Sequence, residues 1–315
     1  MNGTRIHSGH GFVLLAAALF GTTGTAQAFA PQGLSPAFIG ALRLAVGGPA
    51  LLILAVACGR MKGMGSLIRS PAALAAVAGT VLFQLCFFQA VARTGVAVGT
   101  LVAIGSTPIA AGVIEIALTR NAPSRRWFLS TAVAIVGCAC LLVPDQQRSV
   151  DPSGVLLSLA AGTGYAVCMA AVQRMVLQQA AETVMAVVLT AGAVALFPVL
   201  ATGNPAVLIG LRGGLVALWL GLFATAAAYL FLAKGLARIP VAHAGTLALG
   251  EPLVAALLGI FLLKEPLTAL AWAGVLLIFF ALVIISTEER APSSPAPTRR
   301  RGLDPAPAGR TERKG

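Results

Sequence analysis

Few residues in this chain carry groups able to do chemistry in a setting where such groups are costly, and Glu251 is the foremost. It precedes Pro252 within the apolar run Thr246-Leu-Ala-Leu-Gly-Glu-Pro-Leu-Val. Proline removes a backbone donor and bends or opens a helix, leaving this carboxylate beside freed carbonyls. The pair could bind a cation, receive a proton or contact a substrate amine; alternatively, a protonated Glu251 hydrogen-bonds a neighbouring helix and sets the kink. Arg43, within Ala41-Leu-Arg-Leu-Ala, is about nine residues into its own apolar segment, too deep for an interfacial anchor. Its guanidinium could attract an anionic solute group or pair with carbonyls or a carboxylate inside the protein. His243 could pass protons, because imidazole titrates near neutrality, or it could be solvated at a helix end. Glu115 and Lys234 are expected near segment ends, where long side chains snorkel, with Glu115 reaching headgroup water, Arg120 or Arg125.

Uncharged polar groups form a second set: Gln27, Gln84, Gln89, Tyr165, Thr225 and Tyr229. They suit recognition of hydrogen-bonding solutes, and they suit interhelical hydrogen bonds equally well. Catalytic patterns are missing. The chain has neither H-E-x-x-H nor G-x-S-x-G, and no G-x-x-x-x-G-K-[ST] phosphate loop, so neither an enzyme nor an ATP-driven pump is expected, and no cofactor or metal is implied. The five cysteines match no zinc or disulfide spacing and read as small apolar packing residues.

The elements that must position these groups are membrane spans. Of 315 residues, 58% are hydrophobic and only 10% charged, and the mean hydropathy is +0.91. A span needs roughly 20 apolar residues. Ten segments fit, near 11–30, 34–57, 72–92, 95–118, 127–144, 154–175, 183–202, 212–232, 240–263 and 267–286. Their continuous apolarity means helices rather than barrel strands, giving an all-α membrane protein. With the N-terminus cytoplasmic, seventeen Lys and Arg fall inside and four outside, so both termini are placed in the cytoplasm. The net charge of +12 is therefore a topology signal and does not point to nucleic acid. Residues 1–10 are read as a cytoplasmic N-terminus and 287–315 as a basic, disordered cytoplasmic tail.

The second half repeats the first at a shift of 145 residues. Phe20 falls on Tyr165, Gly47 on Gly192, Thr80 on Thr225, Ala92-Arg93 on Ala237-Arg238, Val96-Ala97 on Val241-Ala242, and Trp127 on Trp272. Gln84 falls on Tyr229 and Thr107-Pro108 on Pro252-Leu253. Five spans per copy, an odd number, predict inverted repeats over 11–144 and 154–286 around a central cavity. Arg5, the run from Phe12 to Phe20 and Ala26-Gln27-Ala28 mimic a cleavable signal, but cleavage would remove the counterpart of the second copy's first span. Gly95, Gly99, Ala103, Thr107 and Ala111 form a small-residue ridge, matched by Pro240, Ala244, Ala248, Pro252 and Ala256. Such ridges permit close helix approach, and with Pro108 and Pro252 they are candidate pivots.

Trp219-Leu-Gly221, Thr225, Tyr229, Lys234-Gly-Leu-Ala-Arg238, Glu251-Pro252, Leu262-Leu-Lys-Glu265-Pro266 and Gly274 together resemble the EamA family of the drug/metabolite transporter superfamily. In the first copy, Arg43 matches a common family Arg in the second helix and Thr107-Pro108 stands in for Glu251-Pro252. Departures are Thr119-Arg120-Asn121 where Lys264-Glu265-Pro266 would recur, and Phe20 in place of Trp. The resemblance implies two inverted five-helix halves, with helices 1, 3, 4, 6, 8 and 9 facing the cavity and 5 and 10 peripheral. It also implies a secondary transporter of the plasma membrane, exporting small metabolites, amino acids or toxic compounds by alternating access. Import or facilitated diffusion of a polar solute, and a non-transporting sensor or scaffold, are the alternative readings. The expected partners are a small-molecule substrate and the lipid bilayer, with room for protons as coupling ion and for a homodimer.

Overall fold

The computed structural model describes residues 2–31, 33–142, 151–203, 210–264 and 266–288, with side chains from Ile6 onward. The main helices are α1 Asn2–Ala28, α2 Pro36–Ala57, α3 Pro71–Thr94, α4 Val96–Thr119, α5 Arg125–Leu142, α6 Pro152–Val176, α7 Ala181–Ala195, α8 Leu211–Leu236, α9 Val241–Leu263 and α10 Ala269–Ser286. No strand occurs among the described residues. Nine of the ten are long and apolar enough to cross a membrane, and α7, with 15 residues, falls short. Its helix breaks at Leu196 and resumes as Phe197–Ala201, because Pro198 has no N–H for the carbonyl four residues earlier. Helix starts follow local chemistry. Ser35, Ser70 and Asp151 each precede a proline, and their side chains accept the N–H of Phe38, Ala73 and Ser153.

The repeat survives as packing. α1 lies against α8 and α9 as α6 lies against α3 and α4, while α2 pairs with α7, α4 with α9 and α5 with α10. Exchanging the halves maps this pattern onto itself, as inverted repeats require. Single contacts obey it too. A Cβ on Gly9 would fall 2.8 Å from Arg238 Cβ, and one on Gly154, its repeat mate, 3.0 Å from Arg93 Cβ, Arg93 being the mate of Arg238. Close approach through small residues matters here, because lipid offers no hydrophobic drive to bring helices together. α5 and α10 cross at Gly137 and Gly274, where a Cβ on Gly274 would come 2.5 Å from the Gly137 carbonyl oxygen.

Helix ends alternate between two faces; the terminal face is where α1 begins and α10 ends, and the far face is opposite. Two boundaries differ from the sequence reading. α1 starts at Asn2, not near residue 11, because Ile6, Gly9, His10 and Val13 are buried against the end of α8 and the start of α9. Gly95, expected on the packing ridge, instead has φ +84 and ends α3; a Cβ there would meet nothing within 4 Å. It is a turn residue, placed where a left-handed backbone suits only glycine.

Candidate functional site

Deep in the bundle, Arg43 of α2 crosses to the other half. Its Nε donates to Thr225 Oγ1 at 3.0 Å and an Nη donates to the Ala224 carbonyl at 2.8 Å. Both partners lie in a π-helical stretch of α8, Trp219–Ala227. One extra residue per turn disturbs the usual i→i−4 ladder and frees a carbonyl to accept from a side chain. Gly47 lets α2 approach this stretch, since a Cβ there would be 2.9 Å from the Gly221 carbonyl oxygen. Of the alternatives for Arg43, carbonyl pairing is what the geometry shows. Glu251, Tyr165 and Tyr229 all lie within electrostatic range of its guanidinium. Tyr229 is buried edge-on against Phe20 at 5.1 Å, and Tyr165 tilts on Phe83 at 5.3 Å. Each contact joins the first helix of one half to the third helix of the other. Gln84, the mate of Tyr229, is buried and donates to the Gly40 carbonyl at 3.3 Å.

Glu251 sits at the break in α9. Regular helix stops at Ala248, turns at Leu249 and restarts as Gly250–Leu258. Pro252 explains the position: it cannot donate to Ala248, four residues earlier, and its ring clashes there. α4 stays continuous across Pro108, its proline in the corresponding helix. Beyond the break the two parts of α9 keep different company. Val241–Ala248 packs on α4, α1, α5, α6 and α10, whereas Gly250–Leu258 keeps α1 and α10 and leaves α4, α5 and α6. α4 and α9 thus meet towards the terminal face, with Gly245 against Pro108 and Ala111. Glu251 is half-buried where they diverge, and a Cβ on Gly21 of α1 would come 2.8 Å from its carbonyl oxygen.

The terminal face is sealed around the start of α9, where every residue from Val241 to Gly250 is buried. Glu115 Oε2 of α4 accepts the Ala242 N–H at 2.9 Å, and the Trp127 indole of α5 donates to the Ala242 carbonyl at 2.9 Å. Thr131 and Thr246 hydroxyls meet at 2.7 Å. Gln173 donates to the carbonyls of Leu236 at 3.0 Å and Ile239 at 2.7 Å, and Lys234 pairs with Glu182 at 3.2 Å. Glu115 is therefore a helix cap and Lys234 an ion-pair partner, in place of the snorkelling expected for both. Trp127 is 4% exposed whereas its repeat mate Trp272, near the far face, is 45% exposed. The repeat mates of Glu115, Thr131 and Thr246 are Ile260, Leu276 and Leu101, which cannot form these hydrogen bonds.

The remaining candidates disperse. Thr107 is buried, and its hydroxyl donates to the Ala103 carbonyl of its own helix at 2.9 Å, with the Gly162 carbonyl of α6 at 3.5 Å. Gly99, Ala244 and Ala248 are buried packing residues. Gln27 is half-buried near the far end of α1, and Gln89 is exposed. His243 is 2% exposed, against the solvated helix end that was one expectation; its ring stacks on His10 at 6.0 Å and its Nε2 is 3.7 Å from Glu288 Oε2. Cys138 and Cys168 are buried, but Cys58 is exposed just past α2. A cavity of about 710 Å³ among α3, α4 and α6, lined by Arg174, Gln178, Gln179, Ser66, Ser70 and apolar side chains, opens elsewhere, near the terminal face. Glu265 and the tail from residue 289 on lie outside the described residues, whereas Glu288, expected in the disordered tail, is buried against His243.

With this geometry in hand, comparison with known proteins is specific. Residues 7–143 and 152–287 each match the EamA-like transporter family. The chain is 40% identical over 279 residues, 89% of its length and 94% of the relative's, to the uncharacterized transporter YwfM of Bacillus subtilis (strain 168). A solved crystal structure at 19% identity superposes with a TM-score of 0.76, covering 88% of this chain and 96% of the other, which speaks to the fold alone. This chain, a multi-pass membrane protein, belongs to the EamA-like transporter family.

Proposed function

We propose that the protein is a secondary transporter exporting small metabolites, amino acids or toxic compounds across the plasma membrane by alternating access, in a state closed towards the cytoplasm. The observation that carries this reading is the division of α9 at Glu251-Pro252: both segments pack on α1 and α10, but only the one before the break is also sealed on α4 and α5. The Lys and Arg distribution supports a cytoplasmic terminal face. On this reading Glu251 and Arg43 form the floor of the substrate path. They offer one charge of each sign beside the phenols of Tyr165 and Tyr229, a set matched to small zwitterionic or amphipathic solutes. Rocking about Leu249 and Pro108 would expose the same floor to the other side. Without a phosphate loop the driving force is an ion gradient, and protons are the coupling ion, with Glu251 as carrier.

The test is efflux of a solute panel from proteoliposomes by wild type and Glu251→Gln, with and without a protonophore. Wild-type efflux should fall with protonophore, and the variant should insert normally yet lose coupled efflux. Wild-type rates and wild-type protonophore sensitivity in Glu251→Gln would remove the carboxylate from the mechanism.

A further inference from the structure

A second ionisable cluster lies away from Glu251 and Arg43. His10 of α1, His243 of α9 and Glu288, just past α10, are 2%, 2% and 7% exposed, and they come from three separate stretches of the chain. The two imidazole rings are nearly parallel, 15° apart with centroids at 6.0 Å. Among the described residues, neither ring nitrogen of His10 nor the Oε2 of Glu288 has a hydrogen-bond partner. Such groups are seldom buried with hydrogen-bonding capacity unused unless a charge state or a ligand completes them. The repeat sharpens the point. The positions related to 10, 243 and 288 by the shift of 145 are Val155, Val98 and Val143, so the other copy has valine at each of the three. Close packing alone would be served as well by valine.

We propose that His10, His243 and Glu288 form a buried site for a single proton drawn from the cytoplasm, and that its occupancy fastens the cytoplasmic seal. The proton moves from water onto one imidazole, giving one cation and one carboxylate 3.7 Å apart at His243 and Glu288. Two adjacent imidazoles in a low-dielectric setting do not both stay charged, so the pair titrates as a unit. When the proton leaves, Glu288 is a buried carboxylate without a cation in contact among the described residues, and α1, α9 and α10 are no longer drawn together. Low cytoplasmic pH therefore holds the protein closed to the inside.

Among the described residues, the other charges around the site are committed or exposed. α1 adds the exposed His7, α4 adds Glu115 on the Ala242 N–H, and α5 adds the exposed Arg125 and Arg126. α6 contributes the exposed Arg174, and α8 contributes Lys234, paired with Glu182 of α7. Arg238, after α8, lies 4.8 Å over the Phe12 ring. α10 itself, Ala269–Ser286, carries no ionisable group.

The inference rests on the terminal face being the closed cytoplasmic one, but its test needs no substrate and so fails separately from the transport reading. The chain has only three histidines, so ¹⁵N-histidine labelling of the full-length protein in nanodiscs gives three resolvable imidazoles. His7→Gln and His10→Gln assign the signals. The expected result is that Glu288→Gln and His10→Gln each move the His243 midpoint by half a pH unit or more. In Trp219→Phe/Trp272→Phe protein, Trp127 emission should shift to the red as pH rises through that midpoint, and this response should disappear in Glu288→Gln. His10 and His243 titrating independently, with midpoints indifferent to Glu288→Gln, would overturn the site. Emission unchanged across the His243 transition would overturn its link to the seal. If Glu288→Gln fails to fold, His10→Gln carries both comparisons.

Discussion

Replacing Glu115 by Ala tests the cytoplasmic seal at its most economical point. The Ala242 N–H is in the first turn of α9 and has no intrahelical acceptor, so the Glu115 carboxylate at 2.9 Å is what satisfies it. A hydrogen bond to a charged group is worth about 1.5–3 kcal/mol, and a carboxylate at a helix N-terminus interacts favourably with the dipole as well. Taking the hydrogen bond alone, and assuming the contact exists only in the closed state, its loss should shift the closed-to-open equilibrium by roughly 12- to 160-fold, from exp(ΔΔG/RT) with RT about 0.59 kcal/mol. Glu115→Gln keeps an acceptor and should shift it much less. The assay is the modification rate of a cysteine at Ala248, in a background lacking the five native cysteines, by an impermeant maleimide added from the terminal face. Ala248 is 6% exposed in the closed state, so its reaction reports opening. A rate for Glu115→Ala within about twofold of the parent would refute the claim that this contact holds the face shut, since even the lower bound predicts about tenfold.

Two further predictions concern the supports of the site. Gly21→Val places a Cβ 2.8 Å from both the Glu251 carbonyl oxygen and Val254 Cβ, so overpacking should destabilise the protein by about 1–3 kcal/mol; a lower Tm in detergent checks it, whereas Gly24→Val, with nothing within 4 Å, should leave Tm unchanged. Asp151, capping α6 outside the membrane segment, has its carboxyl held below the usual value of 3.8, chiefly by the Ser153 backbone N–H. Because the folded-state value is depressed, its contribution is present above the unfolded value and is lost as pH falls through the folded one. Asp151→Asn should therefore flatten the acid limb of Tm against pH below about pH 4, and an unaltered acid limb would contradict the assignment.

How much of this could be read in advance depends on the range of the interaction involved. Span positions, the inverted repeat and the α9 break follow from apolar runs, a constant shift of 145 and the Glu251-Pro252 pair, all local or periodic signals. Arg43 was visible because a cation in an apolar run needs a reason. Its partners were not: the Ala224 carbonyl is available through a π-helical stretch that leaves no compositional trace in Trp219–Ala227. Glu115 and Trp127 join Ala242 across 127 and 115 residues, and which helix end they cap is decided by helix packing. The His10–His243–Glu288 cluster was hidden for a different reason. Comparing the copies highlights positions that agree, and these three face valines in the other copy. Gly95 misled because a period-four ridge and a helix-ending glycine look identical in sequence, and only φ separates them.

The most direct test of the central claim is trans-stimulated exchange in proteoliposomes, with efflux of a labelled solute from the panel measured with and without the same unlabelled solute outside. A carrier whose single floor at Glu251 and Arg43 faces one side at a time should show saturable efflux that outside solute accelerates, and Arg43→Gln should abolish both. Flux no greater than in protein-free liposomes for every solute, or flux that rises without saturation and ignores the outside solute, would contradict an alternating-access transporter.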